Sequence, residues 1–271
     1  MRFWRSSKVT VPVVRLNGVI GMASPLRSGL SMAGVEAALH KAFAVKGPAV
    51  ALLVNSPGGS PAQSSLIHSR VRALAAEKNK RVFVFVEDLA ASGGYWIATA
   101  GDEIYADATS IVGSIGVVSA SFGFTELIEK LGVERRVHTI GENKAILDPF
   151  RPVRPHDVEI LHSVQQDVQD AFVALVKARR GDKLADDPEL FSGRFWSGAS
   201  AVSLGLVDGL GEARTVLRAR YGEKVSLKTI PLGKQPFWRK GLGLSAGLSA
   251  LSADSLIGAL RADRMWDRYG L

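Results

Sequence analysis

The sequence predicts an α/β fold with a parallel sheet core and flanking helices, on three observations. Short apolar runs alternate with segments of helical periodicity, the order expected of a parallel α/β core. The run Ala49 to Val54 is wholly apolar, as a strand covered on both faces should be. The connections between these segments are short. The chain has 271 residues, 46% hydrophobic and 22% charged, which suits one large domain with or without an extension. A chain of this size buries roughly 75% of its unfolded surface and needs no covalent or metal staple. It contains no cysteine, which excludes disulfides, thiolate metal sites and a cysteine nucleophile.

The elements follow in order. An apolar run with Val9, Val11, Val13 and Leu16 reads as a first strand, ending in a turn at Gly18 to Gly21. Val35, Leu39, Ala42 and Phe43 recur at helical spacing over 34–45. The buried strand at 49–54 leads to a helix over about 60–78, with Leu66, Ile67, Val71 and Leu74 inward. Arg81 to Val86 is the next strand, and Ser92 to Ala100 reads as helical. Short strands at 103–106 and 111–118, a helix near 124–131 and a strand near 133–139 follow. Residues 156–180 form a long amphipathic helix with Ile160, Val164, Val168, Phe172, Leu175 and Val176 on one face. A helix at 199–204, a strand at Val207-Asp208 and a helix at 212–220 close the pattern. The division expected is a basic segment 1–8, a main domain 9–235 and an extension 236–271 rich in Gly, Ser and Leu, with a weakly amphipathic helix around 246–266.

The net charge is +8 and sits largely at the ends. Arg2, Arg5 and Lys8 lie in the first segment; Lys234, Arg239, Lys240, Arg261, Arg264 and Arg268 outnumber Asp254, Asp263 and Asp267 in the last. Nucleic-acid binding calls for a basic stripe on the folded body, and none is read. Basic ends interleaved with Phe3-Trp4, Phe237-Trp238 and Trp266 suit peripheral contact with an anionic membrane surface, or simply solvated ends. No run approaches the ~18–20 apolar residues of a spanning helix, and Arg2 and Arg5 are not followed by the apolar stretch of a secretory signal. The expected location is therefore membrane-associated or cytoplasmic.

Three glycine-flanked stretches carry the chemistry: Asn55-Ser56-Pro57-Gly58-Gly59, Ala91-Ser92-Gly93-Gly94-Tyr95 and Gly113-Ser114-Ile115-Gly116. The pair Gly58-Gly59 follows a buried strand and precedes a helix, so its amides can point into a pocket as an oxyanion hole does; the alternative is an ordinary turn. Ser92 follows a strand and opens a helix, which suits either an exposed nucleophile on a bent turn or a helix N-cap. A serine nucleophile needs a base. His40, His68, His138, His156 and His162 read as surface or packed residues rather than as that base, none lying within forty residues downstream of Ser92. Lys144, in the loop Gly141-Glu142-Asn143-Lys144-Ala145, is a candidate, because a lysine desolvated by burial can act as a neutral amine. Serine–lysine pairs are a known variant of the nucleophile–base arrangement. Ser114 can hydrogen-bond such an amine or serve only its own turn. No metal site and no cofactor is expected.

From about Val11 to Leu232 the chain resembles the signal peptide peptidase A family of serine proteases, the S49 peptidases, with these three stretches and Gly193-Arg194-Phe195-Trp196-Ser197-Gly198 to Asp208 carrying the likeness. The resemblance implies a crotonase/Clp-protease-like fold. It implies a serine endopeptidase with Ser92 as nucleophile, Lys144 as general base, Ser114 positioning the lysine, and Gly58, Gly59 and Gly93 as the oxyanion hole. The partners it implies are short apolar peptides such as signal-peptide remnants, and copies of the chain in a homo-oligomeric ring or dome where lysine and serine come from neighbouring subunits. Glu142-Asn143 stand where many relatives carry an aromatic residue before the lysine. Two other readings are open: an acyl-CoA hydratase or isomerase of the crotonase type using Glu87 and Asp88, and a catalytically inactive membrane-associated scaffold.

Overall fold

The computed structural model describes residues 9–21, 29–232 and 265–270. The expected basic segment 1–8 and nearly all of the extension, with its helix around 246–266, lie outside those residues. The core is the parallel sheet with flanking helices that the alternation predicts. Its strands are β1 (Thr10–Asn17), β2 (Ala49–Ser56), β3 (Arg81–Ala91), β4 (Glu103–Ala106), β5 (Ile111–Gly113), β6 (Phe195–Ser197), β7 (Gly209–Leu210) and β8 (Ser226–Ile230). The order along the main path is β6-β5-β3-β2-β1-β8, with β4 pairing β3 and β7. Among the described residues only the β5–β6 pair is antiparallel.

The helices are α1 (Met32–Ala44), α2 (Pro61–Lys78), α3 (Gly93–Ala98), α4 (Thr125–Lys130), α5 (Pro155–Arg180), α6 (Gly198–Ser203) and α7 (Ala213–Tyr221). One face of the sheet packs Val14, Leu16, Leu52, Val54, Val84 and Val86 against α1, α2 and α3; the other packs Val11, Val13, Ala51, Phe83 and Phe85 with Leu217 of α7. Burial on both faces is why β2 reads as an unbroken apolar run. Burying a side chain such as Phe83 or Leu52 contributes about 1.5–3 kcal/mol each.

The site owes its position to an irregularity in the two central strands. Val54 pairs with Val86, but Ser56 pairs with Ala90, so β3 holds extra residues opposite Asn55. Asn55 pins them: its Nδ2 donates to Asp88 and its Oδ1 accepts from the Leu89 amide at 3.3 Å. Before the bulge β3 pairs with β4; after it, Leu89 to Ala91 pair with β5. The strand therefore runs past its expected end at Val86 and delivers Ser92 beside the end of β2.

Several expectations are corrected. The strand at 111–118 stops at Gly113, because Ser114 turns the backbone into the left-handed region at φ +53°. Residues 133–139 form no strand, having no ladder partner among the described residues. Leu66 is 51% exposed on the outer side of α2. In α5 only Phe172 and Val176 of the expected face are buried, and Val164 is 55% exposed. No apolar residue from 116 to 156 is buried, although this stretch carries Val118, Leu131, Val133 and Ile140.

Candidate active site

Ser92 sits between β3 and α3 with φ +52° and ψ −122°. A positive φ on a serine costs on the order of 1–3 kcal/mol and persists only where the surroundings enforce it. Here they do. The Ser92 amide donates to the Gly113 carbonyl at 2.8 Å, and its carbonyl accepts from the Trp96 amide at 3.0 Å. A Cβ on Gly94 would lie 2.4 Å from the Ser56 carbonyl oxygen, and one on Gly93 2.4 Å from Ser64 Oγ. The two glycines thus let the turn press against the end of β2. Ser92 occupies the N-cap position of α3, yet its hydroxyl makes no capping bond, which disposes of the capping alternative. The side chain is half-buried and lines two cavities.

The glycine turn after β2 meets Ser92 directly. A Cβ on Gly58, where φ is +102°, would lie 2.8 Å from Ser92 Cβ and 2.9 Å from the Gly93 nitrogen. Gly59 is held by Ile20, whose carbonyl accepts from the Ser60 amide at 2.9 Å and whose amide donates to the Gly58 carbonyl at 2.8 Å. The three candidate amides differ. That of Gly58 donates to Ser56 Oγ at 3.2 Å. The Gly59 nitrogen lies 3.4 Å from where a Gly93 Cβ would stand, and neither the Gly59 nor the Gly93 amide donates to an acceptor among the described residues. The free pair can bind a developing oxyanion, with Gly58 as the close-packed support.

One cavity, of about 490 Å³, is floored by Trp96 and Phe172, whose rings stack at 4.6 Å. The other, of about 540 Å³, holds Ser92 and Ser114 together with His162 and Gln169. Ser114 is buried, its amide donates to the Arg194 carbonyl at 2.7 Å, and its Oγ accepts from the Tyr269 hydroxyl at 3.1 Å. Lys144 is not brought to this place: it is exposed, in a turn closed by its own amide on the Gly141 carbonyl at 3.2 Å, and lines neither cavity. The titratable side chains that do are His162, Arg268 and Tyr269. Their presence was missed in the sequence, where His162 is one histidine among five and residues 265–270 lie far along the chain. Glu87 and Asp88 are turned elsewhere. Glu87 pairs with Arg15 at 2.7 Å, Asp88 accepts from Asn55, and both line a separate cavity with Asp107 and Glu212. Among the described residues, no carboxylate for hydratase chemistry lines the cavities at Ser92. Among the described residues no three His, Asp or Glu side chains gather to hold a metal ion.

The frame behind the site is ionic and buried. Tyr95, next to the glycine pair, donates to the Leu206 carbonyl at 2.8 Å, and burial holds its phenol well above the usual range. Arg180 of α5, 2% exposed, bonds Asp208 at 2.8 Å, and Asp208 also accepts from Lys183 and the Ile104 amide. Burial alone would raise the Asp208 carboxyl, but the bonds from Arg180, Lys183 and Ile104 bring it below the ordinary value.

Comparison with known proteins places the chain in a family. The family model for peptidase family S49 matches residues 75–226. A Synechocystis protein named as a candidate protease is 34% identical, over 84% of this chain and 85% of its own length. The chloroplastic serine protease SPPA of Arabidopsis thaliana is 32% identical, over 74% of this chain and 30% of its own. A Brucella abortus protein named Na(+)/H(+) antiporter NhaA is 52% identical across all of this chain, which spans only 38% of that protein. Among solved structures, a ClpP1 mutant from Listeria monocytogenes matches with TM-score 0.48 and 15% identity, over 76% of this chain and 94% of that one. The chain belongs to peptidase family S49.

Proposed function

We propose that the chain is a serine endopeptidase in which Ser92 attacks the peptide carbonyl, the Gly59 and Gly93 amides bind the oxyanion, and Lys144 of a neighbouring copy, oriented by Ser114, is the general base. The observation that carries the reading is the backbone of Ser92: a strained strand-to-helix turn, an uncapped hydroxyl and two unpaired amides beside it. The reaction runs in two steps. The base takes the hydroxyl proton as Oγ adds to the carbonyl, then returns it to the leaving amine as the acyl-enzyme forms; water repeats the sequence to free the acid.

The position of Lys144 supports a shared site. It sits in the stretch 116–156, which buries no apolar residue among the described residues and exposes Val118, Leu131 and, completely, Ile140. Such a surface suits coverage by another copy, and a ring or dome would supply one. The apolar floor of Trp96 and Phe172 suits short apolar peptides such as signal-peptide remnants. Membrane-associated or cytoplasmic placement fits the basic, aromatic ends. The antiporter name of the Brucella relative, which belongs to a chain far longer than this one, favours the membrane-associated choice. Among the described residues no helix is long and apolar enough to cross a membrane.

The test is intact-mass labelling with a fluorophosphonate probe. Wild type should form one adduct, and Ser92→Ala and Lys144→Ala should form none. Mixed oligomers of the two variants should regain labelling on the chain that carries Ser92. Normal labelling of Lys144→Ala, with loss in His162→Ala, would transfer the base to His162, which lines the cavity at Ser92 in the same chain. An unlabelled, well-folded oligomer would favour the inactive scaffold.

A further inference from the structure

The segment Met265-Trp266-Asp267-Arg268-Tyr269-Gly270 lies in the groove at Ser92. Tyr269 is only 9% exposed and packs against Leu89 and Ala91, the last residues of β3 before the serine, with Ile111 and Trp266 beside it. Its ring meets Phe195 edge-on at 5.1 Å, and its hydroxyl donates to Ser114 Oγ at 3.1 Å. Met265 and Arg268 line the Ser92 cavity with it, and Arg268 lines the second cavity as well.

We propose that residues 265–270 are a built-in plug of the active site, an inhibitor rather than a substrate; this rests on reading Ser92 as the nucleophile. The segment is wound into a helical turn. The Tyr269 amide donates to the Trp266 carbonyl at 2.8 Å and the Gly270 amide to the Asp267 carbonyl at 3.0 Å. A peptide cleaved in a groove must lie extended, with its backbone free to pair with the groove's edges and its carbonyl aimed at the nucleophile. A turn that spends its amides on itself fills the space and presents no scissile bond. The plug also occupies Ser114. The phenol takes one acceptor position of the hydroxyl that has to orient the incoming lysine amine, so a seated Tyr269 competes with Lys144 for the space beside Ser114. Release of the segment and completion of the site by a second copy are then coupled.

The experiment uses the full chain, with Tyr269→Ala and Tyr269→Phe beside wild type. Hydrogen exchange at Leu89–Ser92 and Gly113–Ser114 reads the seat of the plug independently of catalysis. The rate of fluorophosphonate labelling reads access to the serine. Tyr269→Ala should raise exchange at both places and speed labelling, by about tenfold if the plug is seated nine-tenths of the time. Tyr269→Phe, which keeps the ring and loses only the hydroxyl, should fall between. Unchanged exchange and labelling in a normally folded Tyr269→Ala oligomer would overturn the proposal, as would slower labelling. Faster exchange with no labelling in any chain would keep the plug and overturn the peptidase reading instead.

Discussion

His68 offers a test in which the size and sign follow from the structure. It lies on the inner side of α2, 7% exposed, with Nε2 buried and without a hydrogen-bond partner among the described residues. Burial first, then the positive charges of Arg179 and Arg72, push its imidazole down to about 4 from the usual 6.5, against a smaller upward pull from a Thr99 backbone bond. The unfolded chain therefore binds a proton between these values that the folded chain does not. Stability is fully present above pH 6.5 and falls as pH drops toward 4. At about 1.4 kcal/mol per unit, the whole shift corresponds to about 3 kcal/mol, most of it lost by roughly pH 4.5. Other carboxylates titrate in the same range, so the measurement is a difference. Urea unfolding of wild type and of His68→Gln, which carries no titratable group there, is followed from about pH 7.5 to about pH 4.5. The wild type should lose about 2.5 kcal/mol more than the variant over that interval. A difference that stays constant within about 0.5 kcal/mol would refute the reasoning and show that the imidazole finds water or a counter-charge on protonation.

Two further substitutions probe the frame and the site. Gly58→Ala forces a Cβ to 2.8 Å from Ser92 Cβ at a φ of +102°; displacing the turn should lower peptide hydrolysis by about 10²–10³-fold with the fold retained, measured as kcat/KM beside the circular dichroism spectrum. A rate within about threefold of wild type would remove the turn from the machinery. Asp208→Ala leaves Arg180, 2% exposed, without its 2.8 Å partner, and should cost about 3–5 kcal/mol in chemical denaturation. A loss under about 1 kcal/mol would mean that water reaches Arg180.

Much of the fold was legible because its determinants are local. Alternating apolar runs place β1, β2 and the start of β3, and helical spacing places α1, α2 and α5 within a residue or two. Where reading failed, the reason is a distant partner. Val164 of α5 and Val137 of the expected strand carry the right pattern, but among the described residues nothing buries the first or pairs with the second. β3 runs five residues beyond Val86 because Asn55, on the neighbouring strand, pins the bulge.

The parallel α/β core, the absence of thiol chemistry and the three glycine-flanked stretches are legible along the chain. These follow from residue type and short-range spacing, which act through backbone freedom and apolar periodicity. Which alternative each residue took was set by packing. Ser92 is an uncapped, strained turn residue because β2, Gly113 and Trp96 hold it so. Gly58 supports while Gly59 and Gly93 keep their amides free, and Glu87 and Asp88 are spent on Arg15 and Asn55. Tyr269, not Lys144, stands on Ser114. Such outcomes depend on which groups are brought close by packing over long stretches of chain, and residue spacing along the sequence does not contain that distance.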